Sequence, residues 1–482
     1  MLAYRKKCKI AAIKHYARIL ALSDSKFSSL PLQTALLDNL ATLEYHSMTE
    51  IQAQSLPAIL DGKDIIAQGK TGSGKTAAFG LGLLNKLQVK KFRIQTLVLC
   101  PTRELADQVA KEIRKLARAI HNIKVLTLCG GMPFGPQVGS LEHGAHIIVG
   151  TPGRIEDHLG RGTLSLEHVD TLVLDEADRM LEMGFQAALD NIVGNIPEQR
   201  QTLLFSATFP KQIQAIANKY LQTPEVVKVE STHASNTISQ HFYHVENDEQ
   251  RLTAVRLLLL KHRPESSVIF CNTKIETQNV ANKLAAYGFG VVALHGDLEQ
   301  RDRDQTLVRF ANKSASILVA TDVAARGLDI DALDAVFNYH IAHDSEVHIH
   351  RVGRTGRAGS TGFAFSLFSD KERYKVGLLE DYLERTIEGE VLPESEVLQS
   401  AVFSPKMTTI QIDGGKKQKV RPGDIVGALT GDNGIAFEQL GKIQMGANWA
   451  YIAVEKMVAR KALNKLINGQ IKGRKFRVRE LT

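Results

Sequence analysis

The stretch GKTGSGKT, residues 69–76, carries glycines, a lysine and a threonine at a spacing that suits phosphate binding. The apolar run DIIA (64–67) precedes it and a helix-like run follows, so the glycines fall in a strand-to-helix turn. Backbone N–H groups of such a turn bind phosphates, while Lys75 reaches the outer phosphates and the Thr76 hydroxyl holds Mg²⁺. We predict a nucleoside triphosphate site that is made by Gly69, Thr71, Gly72, Ser73, Gly74, Lys75 and Thr76.

A second group of reactive residues is the acidic pair in TLVLDEAD, residues 171–178. A buried strand directly before two carboxylates is typical of the metal-binding edge of a nucleotide site. In that arrangement Asp175 supports Mg²⁺, and Glu176 orients or deprotonates the attacking water. The alternative is an acidic helix N-cap, which explains one carboxylate but not both.

Two arginines in HRVGRTGR, residues 350–357, could stabilise the charge that develops on a transferred phosphoryl group. Arg354 and Arg357 are three positions apart, which places both on one face of a helix. Arginine fingers of this kind accelerate phosphoryl transfer by roughly 10³–10⁵. They lie far along the chain from Lys75, so catalysis would require two lobes to close.

The segments that must position these residues repeat one pattern: a short β-branched apolar run, a polar cluster and a helical stretch. Apolar strands that alternate with helices predict parallel α/β sheets, which bind ligands at the carboxyl ends of their strands. The strand-containing segments are TLVLCPTREL (96–105), HIIVGTPGR (146–154), TLVLDEAD (171–178), TLLFSAT (202–208), SVIFCNT (267–273), VVALHGD (291–297), ILVATDVAARGLD (317–329) and FAFSLFS (363–369).

The pattern divides the chain into domains. It breaks at the polar stretch ESTHASNT (230–237), where we place a linker between two α/β lobes. The predicted divisions are a basic extension (1–23), a first lobe (24–230), a linker (231–237), a second lobe (238–370), an acidic connector (371–404) and a small C-terminal α+β domain (405–482).

Composition limits the class of protein. No apolar run reaches the roughly 18 residues that a membrane span needs, so we expect no membrane partner. Cys8, Cys100, Cys129 and Cys271 form no CxxC pair, which indicates buried reduced thiols, no metal site at the cysteines and a cytoplasmic location.

The net charge of +8 is unevenly distributed. Residues 401–482 carry fifteen Lys or Arg and six Asp or Glu, and residues 1–23 carry six Lys or Arg and no acid. A basic end domain suggests a polyanionic partner, although a solvated basic face is the simpler alternative. We interpret residues 1–23 as a dispensable tail or the result of an upstream start, with an organelle transit peptide as the other interpretation.

In the order and spacing of these motifs, the chain resembles the DEAD-box RNA helicases between residues 27 and 369. The resemblance implies two RecA-like lobes, with ATP and Mg²⁺ as cofactors and RNA as substrate. It also implies that Gln52 reads adenine, that Phe27 stacks on it and that Asp329 lies near the ribose. Tyr45 and Glu44 depart from the family pattern of phenylalanine after glycine.

The same resemblance assigns further motifs. Ser206 and Thr208, in SAT, match the motif that couples hydrolysis to strand separation. Threonines and glycines at loop–helix junctions can offer hydroxyls and N–H groups to phosphates without reading bases. The RNA contacts implied in the two lobes are Pro101, Thr102, Arg103, Gly130, Gly131, Thr151, Arg154, His295, Gly296, Thr321 and Arg326.

The last domain reads as βαββαβ, the element order of an RNA-recognition motif. Its predicted strands are 408–412, 442–445, 449–454 and 475–479, with helices over 424–429 and 457–467. Period two directs Ala450, Ile452 and Val454 towards the helices and Trp449 and Tyr451 to an open face. On the last strand, Phe476 and Val478 point inward, whereas Lys475, Arg477 and Arg479 point outward. We predict that Trp449, Tyr451, Arg477 and Arg479 bind RNA, while a core tryptophan or a protein-binding module would explain the same pattern.

A basic turn lies between the first strand and first helix of this domain, in GGKKQKVRPGDIVGAL (414–429). Its cations suit backbone contact to a folded RNA hairpin, and they are Lys416, Lys417, Lys419 and Arg421. The turn and the later INGQIKGRKFRV (467–478) resemble the C-terminal domain of DbpA-type DEAD-box helicases. That resemblance implies a bacterial RNA helicase directed to a hairpin of 23S ribosomal RNA during large-subunit assembly, and we expect it to be a monomer.

Two other functions remain open at the level of sequence. A DNA helicase is disfavoured by the Asp-Glu-Ala-Asp sequence of the acidic motif (175–178), by Gln52 and by a last domain that resembles RNA-binding domains. A passive ATP-gated RNA clamp with a decayed ATPase is disfavoured because every catalytic residue is present: Lys75, Asp175, Glu176, Ser206, Thr208, Arg354 and Arg357.

Overall fold

A computed structural model describes residues 26–69, 72–229, 238–325, 333–356, 361–431 and 433–481. The chain divides into two compact units after residue 232. Among the described residues, no helix combines the length and the apolar sequence that a membrane span requires. Several predictions lie outside the described residues, namely the extension (1–23), the linker (231–237), Thr71, Arg326, Asp329 and Arg357.

The first unit is built on a seven-stranded parallel sheet in the order β3-β4-β2-β5-β6-β1-β7. Most of its strands are buried on both faces, as their continuous apolar sequences predict. The strands are β1 (Ile65–Gln68), β2 (Thr96–Leu99), β3 (Val125–Leu128), β4 (Ile147–Gly150), β5 (Thr171–Asp175), β6 (Gln201–Ser206) and β7 (Glu225–Lys228).

Helices cover both faces of this sheet and enclose two apolar cores. They are α1 (Thr34–Thr42), α2 (Glu50–Leu60), α3 (Lys75–Lys86), α4 (Arg103–Leu116), α5 (Phe134–Glu142), α6 (Pro152–Gly160), α7 (Ala177–Glu182), α8 (Gln186–Gly194) and α9 (Lys211–Tyr220).

The strand order separates two groups of strand ends. β1, β6 and β5 are neighbours, so the phosphate loop, the SAT motif and the acidic pair follow adjacent strands. β2, β4 and β3 are also neighbours, so the loops predicted to contact RNA lie together at the same edge of the sheet. The fold thus places the loops predicted to bind nucleotide and the loops predicted to bind RNA side by side at one sheet edge.

The second unit contains a six-stranded parallel sheet in the order β10-β11-β9-β12-β13-β8, which we call the second lobe. Its strands are β8 (Ile238–His244), β9 (Ser267–Cys271), β10 (Val291–Leu294), β11 (Ile317–Thr321), β12 (Ala335–Asn338) and β13 (Gly362–Phe368). Its helices are α10 (Asp248–His262), α11 (Lys274–Ala286), α12 (Gln300–Ala311), α13 (Asp322–Ala325), α14 (Ser345–Val352) and α15 (Arg373–Leu383).

The predicted connector begins as part of the second lobe. Val376 and Leu379 of α15 are buried in an apolar cluster with Phe368, at the end of β13. Between residues 384 and 406 the chain is irregular apart from a short 3₁₀ turn, Ser395–Gln399, and an isolated β-bridge between Glu390 and Tyr243. The first part of the connector is therefore packed onto the lobe.

The C-terminal domain has the predicted βαββαβ order. An antiparallel sheet in the order β15-β16-β14-β17 packs two helices, α16 (Pro422–Thr430) and α17 (Ala459–Asn468), against one face. The strands are β14 (Met407–Ile412), β15 (Leu440–Met445), β16 (Ala450–Glu455) and β17 (Val478–Leu481).

The predicted bounds of the last strand are wrong, because β17 begins three residues later than expected. Its register pairs Val478 with Ile412 and Leu481 with Thr409. The alternating KFRVR sequence has strand character, but pairing with β14 decides which residues form the strand.

Candidate nucleotide and RNA sites

The phosphate loop closes around the side chain of Lys75. The Lys75 Nζ donates a 2.6 Å hydrogen bond to the Gly69 carbonyl, and the lysine is 6% exposed. Gly72 and Gly74 have φ angles of 80° and 95°, which favour glycine. The sequence therefore places a buried ammonium and the N-terminus of α3 where an anionic phosphate would bind.

Gln52 connects this loop to helix α2. Its Nε2 donates to the Gly74 carbonyl at 3.0 Å, and its Oε1 accepts from the Thr49 backbone N–H at 2.9 Å. A Cβ at Gly74 would lie 2.5 Å from the Gln52 Nε2, so only glycine fits there. The predicted adenine-reading residue is thereby tied directly to the phosphate loop.

The residues around the predicted adenine position differ in exposure. Phe27 is 4% exposed and packs in the core of the first unit, which leaves little of its ring for a base, so its stacking role stays a prediction. Glu44 has a φ of 60°, which explains why the family pattern has glycine there. The Tyr45 hydroxyl donates to Glu112 at 2.8 Å, and burial, followed by this bond, raises the pKa of Tyr45 to about 12.

The acidic pair lies at the end of β5. Asp175 is 3% exposed, and burial raises its pKa to about 7 although Lys75 acts in the opposite direction. Glu176 has a φ of 51°, and its backbone N–H donates to Asp175 at 3.1 Å. Glu176 occupies the N-cap of α7 without a side-chain cap hydrogen bond, so the N-cap alternative does not account for it.

The donor set fits Mg²⁺. Asp175 offers a buried carboxylate, and Thr76 offers a hydroxyl in the first turn of α3. Within the described ranges, no cluster of three or more His, Cys, Asp or Glu residues could hold a metal ion. A site with few protein ligands, all of them oxygen donors, is typical of Mg²⁺. This ion keeps several bound waters and takes further ligands from substrate phosphates.

Asp178 connects the acidic motif to the SAT motif. Its Oδ2 accepts from the Thr208 backbone N–H at 3.0 Å and from the Thr208 hydroxyl at 2.9 Å. The Ser206 hydroxyl in turn donates to the Thr208 carbonyl at 2.6 Å. Our sequence reasoning missed this role of Asp178, although its place three residues after Asp175 in the acidic motif was an available signal.

The loops of the first lobe that are predicted to contact RNA are held by short-range contacts. Thr102 caps α4 by accepting from the Leu105 N–H at 3.3 Å. Gly131 has a φ of 71°, and a Cβ there would lie 1.8 Å from the Arg103 Nη1. The Thr151 N–H donates to Leu128 at 3.1 Å, just before α6. These contacts bring Thr102, Arg103, Gly131 and Thr151 to one edge of the sheet.

Two residues of the second lobe that are predicted to contact RNA form hydrogen bonds within the lobe. His295 is 7% exposed, its Nε2 lies 3.0 Å from the Gln278 Oε1, and burial lowers its pKa. The Thr321 hydroxyl accepts from the Ala324 N–H at 3.4 Å, at the start of α13. A neutral, bonded His295 is suited to hold α11 against the end of β10.

Arg351 organises the region around the predicted arginine fingers. It is 2% exposed, and its Nε and Nη2 donate to Asp322 at 2.6 and 2.7 Å. Its Nη1 donates to the His340 carbonyl at 2.8 Å. The Arg354 backbone N–H bonds to the Arg351 carbonyl at 3.1 Å. We did not predict a role for Arg351, and the signal was its position in the same HRVGRTGR motif.

The prediction of an open aromatic face on the C-terminal domain is wrong in this structure. The face assignment itself is correct, because Ala450, Ile452 and Val454 pack against the helices. Tyr451 nevertheless is 3% exposed, since it packs with Val308 of α12. A buried ring has no free surface on which an RNA base could stack.

Polar contacts also join this face of the C-terminal sheet to the second lobe. The Thr409 hydroxyl lies 3.2 Å from the Asn312 Nδ2 and 2.7 Å from the Ser314 Oγ. Arg479 donates to Gln411 at 2.9 Å on the same face. Arg479 therefore lies on the covered face but stays partly exposed, and its RNA-binding role stays a prediction.

Trp449 lies at the margin of the covered face. Its ring centroid is 4.5 Å from that of Tyr451, and a Cβ at Gly446 would lie 2.4 Å from its Cδ2. The indole is partly buried rather than enclosed. Its RNA-binding role stays a prediction.

The basic turn is a defined structure. The N–H groups of Lys416 and Lys417 donate to the carbonyls of Gly446 and Ala447 at 3.0 and 2.8 Å. A Cβ at Gly415 would lie 2.6 Å from the Gly446 carbonyl oxygen, so this close approach requires glycine. The turn is thus fixed to the β15–β16 hairpin.

The cations of the turn face solvent. All four are exposed, and none forms an ion pair with another described residue: Lys416, Lys417, Lys419 and Arg421. The Arg421 backbone N–H donates to the Asp424 carboxylate at 2.8 Å and so caps α16. The Arg477 carbonyl accepts from Asp413 at 2.9 Å, which places Arg477 beside the strand that leads into the turn.

Family models match three segments of the chain. They are DEAD/DEAH box helicase over residues 49–216, helicase conserved C-terminal domain over residues 249–359 and DbpA RNA binding domain over residues 409–480. The chain therefore belongs to the DEAD/DEAH box helicases, and it is an ATP-dependent RNA helicase with RNA-dependent ATPase activity. Within that class, its last domain is of the DbpA type.

Known relatives agree with this assignment. The ATP-dependent RNA helicase DbpA of Escherichia coli (strain K12) is 52% identical over 456 residues, which are 94% of this chain and 99% of that protein. The DEAD-box ATP-dependent RNA helicase CshA of Geobacillus kaustophilus (strain HTA426) is 42% identical over 75% of this chain and 76% of that protein. The structure of S. cerevisiae Dbp5 bound to RNA and ADP BeF3 has a TM-score of 0.69 and 29% identity, covering 76% of this chain and 95% of that one.

Proposed function

We propose that this helicase remodels 23S ribosomal RNA in precursors of the large ribosomal subunit, and that its basic turn selects the RNA. The observation that carries this proposal is the turn itself, which presents four exposed cations on a fixed backbone. The β-sheet face that an RNA-recognition motif would use is covered by α12. A folded hairpin would therefore meet the domain at the turn rather than on the sheet.

Residues of the first lobe would bind ATP and position the water that attacks it. Lys75 and the N-terminus of α3 would bind the phosphates, and Glu176 would orient the attacking water. Thr76 and Asp175 would hold Mg²⁺, which neutralises charge on the phosphates when it is bound. Asp178 and Thr208 connect this site to Ser206, which supports a coupling role for the SAT motif.

The RNA chemistry uses contacts that do not read sequence. In the first lobe, Thr102, Arg103, Gly131 and Thr151 lie at adjacent strand ends, where hydroxyl, guanidinium and N–H groups suit phosphates. We propose that ATP and RNA together close the two lobes, that closure opens a short duplex, and that hydrolysis resets the open state. Arg354 and Arg357 would act as the arginine fingers in the closed state.

We further propose a cytoplasmic location and a monomeric state. Cys100, Cys129 and Cys271 are buried free thiols, and burial raises the pKa of each, which fits a reducing compartment. Light scattering of the purified chain tests the monomer, since a mass near twice 53.1 kDa would contradict it.

Crosslinking of RNA to the protein in a bacterial host, followed by sequencing, tests the substrate. The full chain should enrich reads in one region of 23S RNA, whereas a chain ending at residue 404 should crosslink without that enrichment. The Lys416, Lys417, Lys419 and Arg421 to Ser variant should behave like the shortened chain. Equal enrichment by all three proteins would contradict the proposed role of the turn.

A further inference from the structure

Gln137 of α5 lies between the two loops of the first lobe that surround the proposed RNA surface. The side chain is 8% exposed. Its Nε2 donates to the Cys129 carbonyl at 3.0 Å, and its Oε1 accepts from the Arg154 Nη1 at 2.9 Å. The same Oε1 lies 3.0 Å from the His158 Nε2. One buried amide therefore contacts the end of β3 and two side chains of α6.

The bonding pattern fixes the orientation of the amide. Because Nε2 must donate to a carbonyl, Oε1 is the acceptor, and the His158 Nε2 must carry a proton. The His158 Nδ1 lies 2.8 Å from the Thr163 Oγ1, which also donates to the His158 carbonyl at 3.1 Å. Burial and, secondarily, the nearby Arg154 lower the pKa of His158, in agreement with a neutral ring that has one N–H.

Arg154 extends the network to the far side of the glycine pair. Its Nη1 also donates to the Met132 carbonyl at 3.0 Å. Cys129 precedes Gly130 and Gly131, and Met132 follows them, so Gln137 and Arg154 together hold both ends of this short loop. The loop and the N-terminal turn of α6 are thus fixed relative to each other through Gln137 together with Arg154.

We propose that Gln137 is a positioning residue for RNA binding, which sets the spacing between the glycine loop (130–131) and the Thr151–Arg154 turn. Groups that contact successive phosphates must be held to within a fraction of an ångström, and such precision requires buried supporting hydrogen bonds. The inference rests on the proposed RNA role of these two loops. It adds that their mutual position, and not only their own residues, determines affinity for RNA.

The test substitutes Gln137 and measures RNA-stimulated ATPase against the concentration of an RNA hairpin with a single-stranded extension. Gln137→Leu keeps the approximate size but removes all three hydrogen bonds. The RNA concentration for half-maximal stimulation should rise about tenfold, the equivalent of one or two lost hydrogen bonds. Turnover at saturating RNA and the KM for ATP should stay within about twofold, because the nucleotide site follows other strands. Gln137→Glu, which still accepts from Arg154 and His158, should give a smaller rise.

Gln95 provides a matched control. It is 4% exposed and makes three hydrogen bonds to the backbones of Gln88 and Lys91, beside the start of β2 and away from the glycine loop. Gln95→Leu should lower the melting temperature about as much as Gln137→Leu without changing RNA half-saturation. Equal changes in RNA half-saturation for both leucine variants would reduce Gln137 to a purely structural role and overturn the inference.

A direct-contact variant separates this inference from the proposed function. Arg103→Ala should also raise the RNA concentration for half-maximal stimulation. If Arg103→Ala raises it and Gln137→Leu does not, the positioning role is wrong while the RNA surface stands. If neither changes it, the proposed RNA surface of the first lobe is wrong, and the inference fails with it.

Discussion

Lys75 is the single residue on which the nucleotide site most depends. Its buried ammonium lies 2.6 Å from the Gly69 carbonyl, inside the loop that would hold the phosphates. Lys75→Ala should reduce RNA-stimulated ATPase at least about 100-fold, because a preorganised charge at the transferred phosphoryl group is lost. A coupled phosphate-release assay at saturating ATP and RNA measures this change.

Lys86, in the last turn of the same helix, is the control. It is exposed and pairs with Asp170 at 3.3 Å, so Lys86→Ala should retain nearly full ATPase. Near-normal turnover of Lys75→Ala would refute the assignment of the phosphate loop.

Single residues could be predicted only where a motif is contiguous. The spacing of GKTGSGKT gave Lys75 and Thr76 without any knowledge of the fold. Gln137 and Arg351 were not predicted to matter, since the Arg351 partner Asp322 lies 29 positions away in the sequence. Such partners are identified by the sheet that brings them together, which one sequence does not specify.

At the scale of elements, helix α12 determines which face of the C-terminal domain is available. Val308 is 5% exposed and packs with Tyr451. Val308→Asp should separate the domain from the helix, because burying an unpaired carboxylate in this apolar contact costs on the order of several kcal/mol. Trp449 is the single tryptophan and touches the same cluster, so its emission should shift to longer wavelength.

Asp302, exposed on the same helix, supplies the control for this experiment. Asp302→Ala should leave Trp449 emission unchanged. If emission in Val308→Asp also matched that of the unaltered protein, the domain would not rest on α12 in solution.

The basic turn makes a prediction about salt dependence. If about five cations of the domain meet phosphates, log affinity for a single-stranded site should fall with log salt at a slope near −3.5. Replacing Lys416, Lys417, Lys419 and Arg421 with Ser should weaken hairpin binding and make the slope shallower by up to about 2.8 units. Fluorescence anisotropy at several salt concentrations measures the slope on a labelled single strand, and the same assay at one salt concentration measures affinity for a labelled hairpin.

A variant with the same loss of charge elsewhere in the domain controls for net charge. It carries glutamine at four exposed positions: Lys442, Lys456, Arg460 and Lys461. It should keep most of the slope of the unaltered chain. An unchanged slope in the serine variant would make the turn an ordinary solvated surface.

Strands and helices could be predicted where the local sequence pattern alone determines them. Continuous β-branched runs gave the parallel strands, and period two gave the inward side chains of β16. The start of β17 and the covering of Tyr451 were missed because each depends on a partner, β14 in one case and α12 in the other. A strand face that the sequence leaves open can still be buried by another domain.

At the scale of the whole molecule, the proposal requires both lobes for hydrolysis. Arg357→Ala should lower turnover by roughly 10³-fold or more while changing ATP affinity little, because a finger acts on the transition state. Single-turnover hydrolysis and equilibrium binding of a fluorescent ATP analogue separate the two effects. As a control, Arg373 is an exposed residue of the same unit, and Arg373→Ala should change neither turnover nor ATP affinity. A loss of ATP binding with normal turnover of the bound nucleotide would exclude a finger role.

The central claim is that the motor acts on RNA generally and that the C-terminal domain selects the RNA. The most direct measurement compares RNA-stimulated ATPase of the full chain and of residues 1–404 on a 23S RNA hairpin fragment and on an unrelated RNA of equal length. The account predicts that the full chain prefers the hairpin fragment and that the shortened chain retains some ATPase with no preference. A shortened chain that still prefers the hairpin fragment would place selectivity in the lobes and contradict the account.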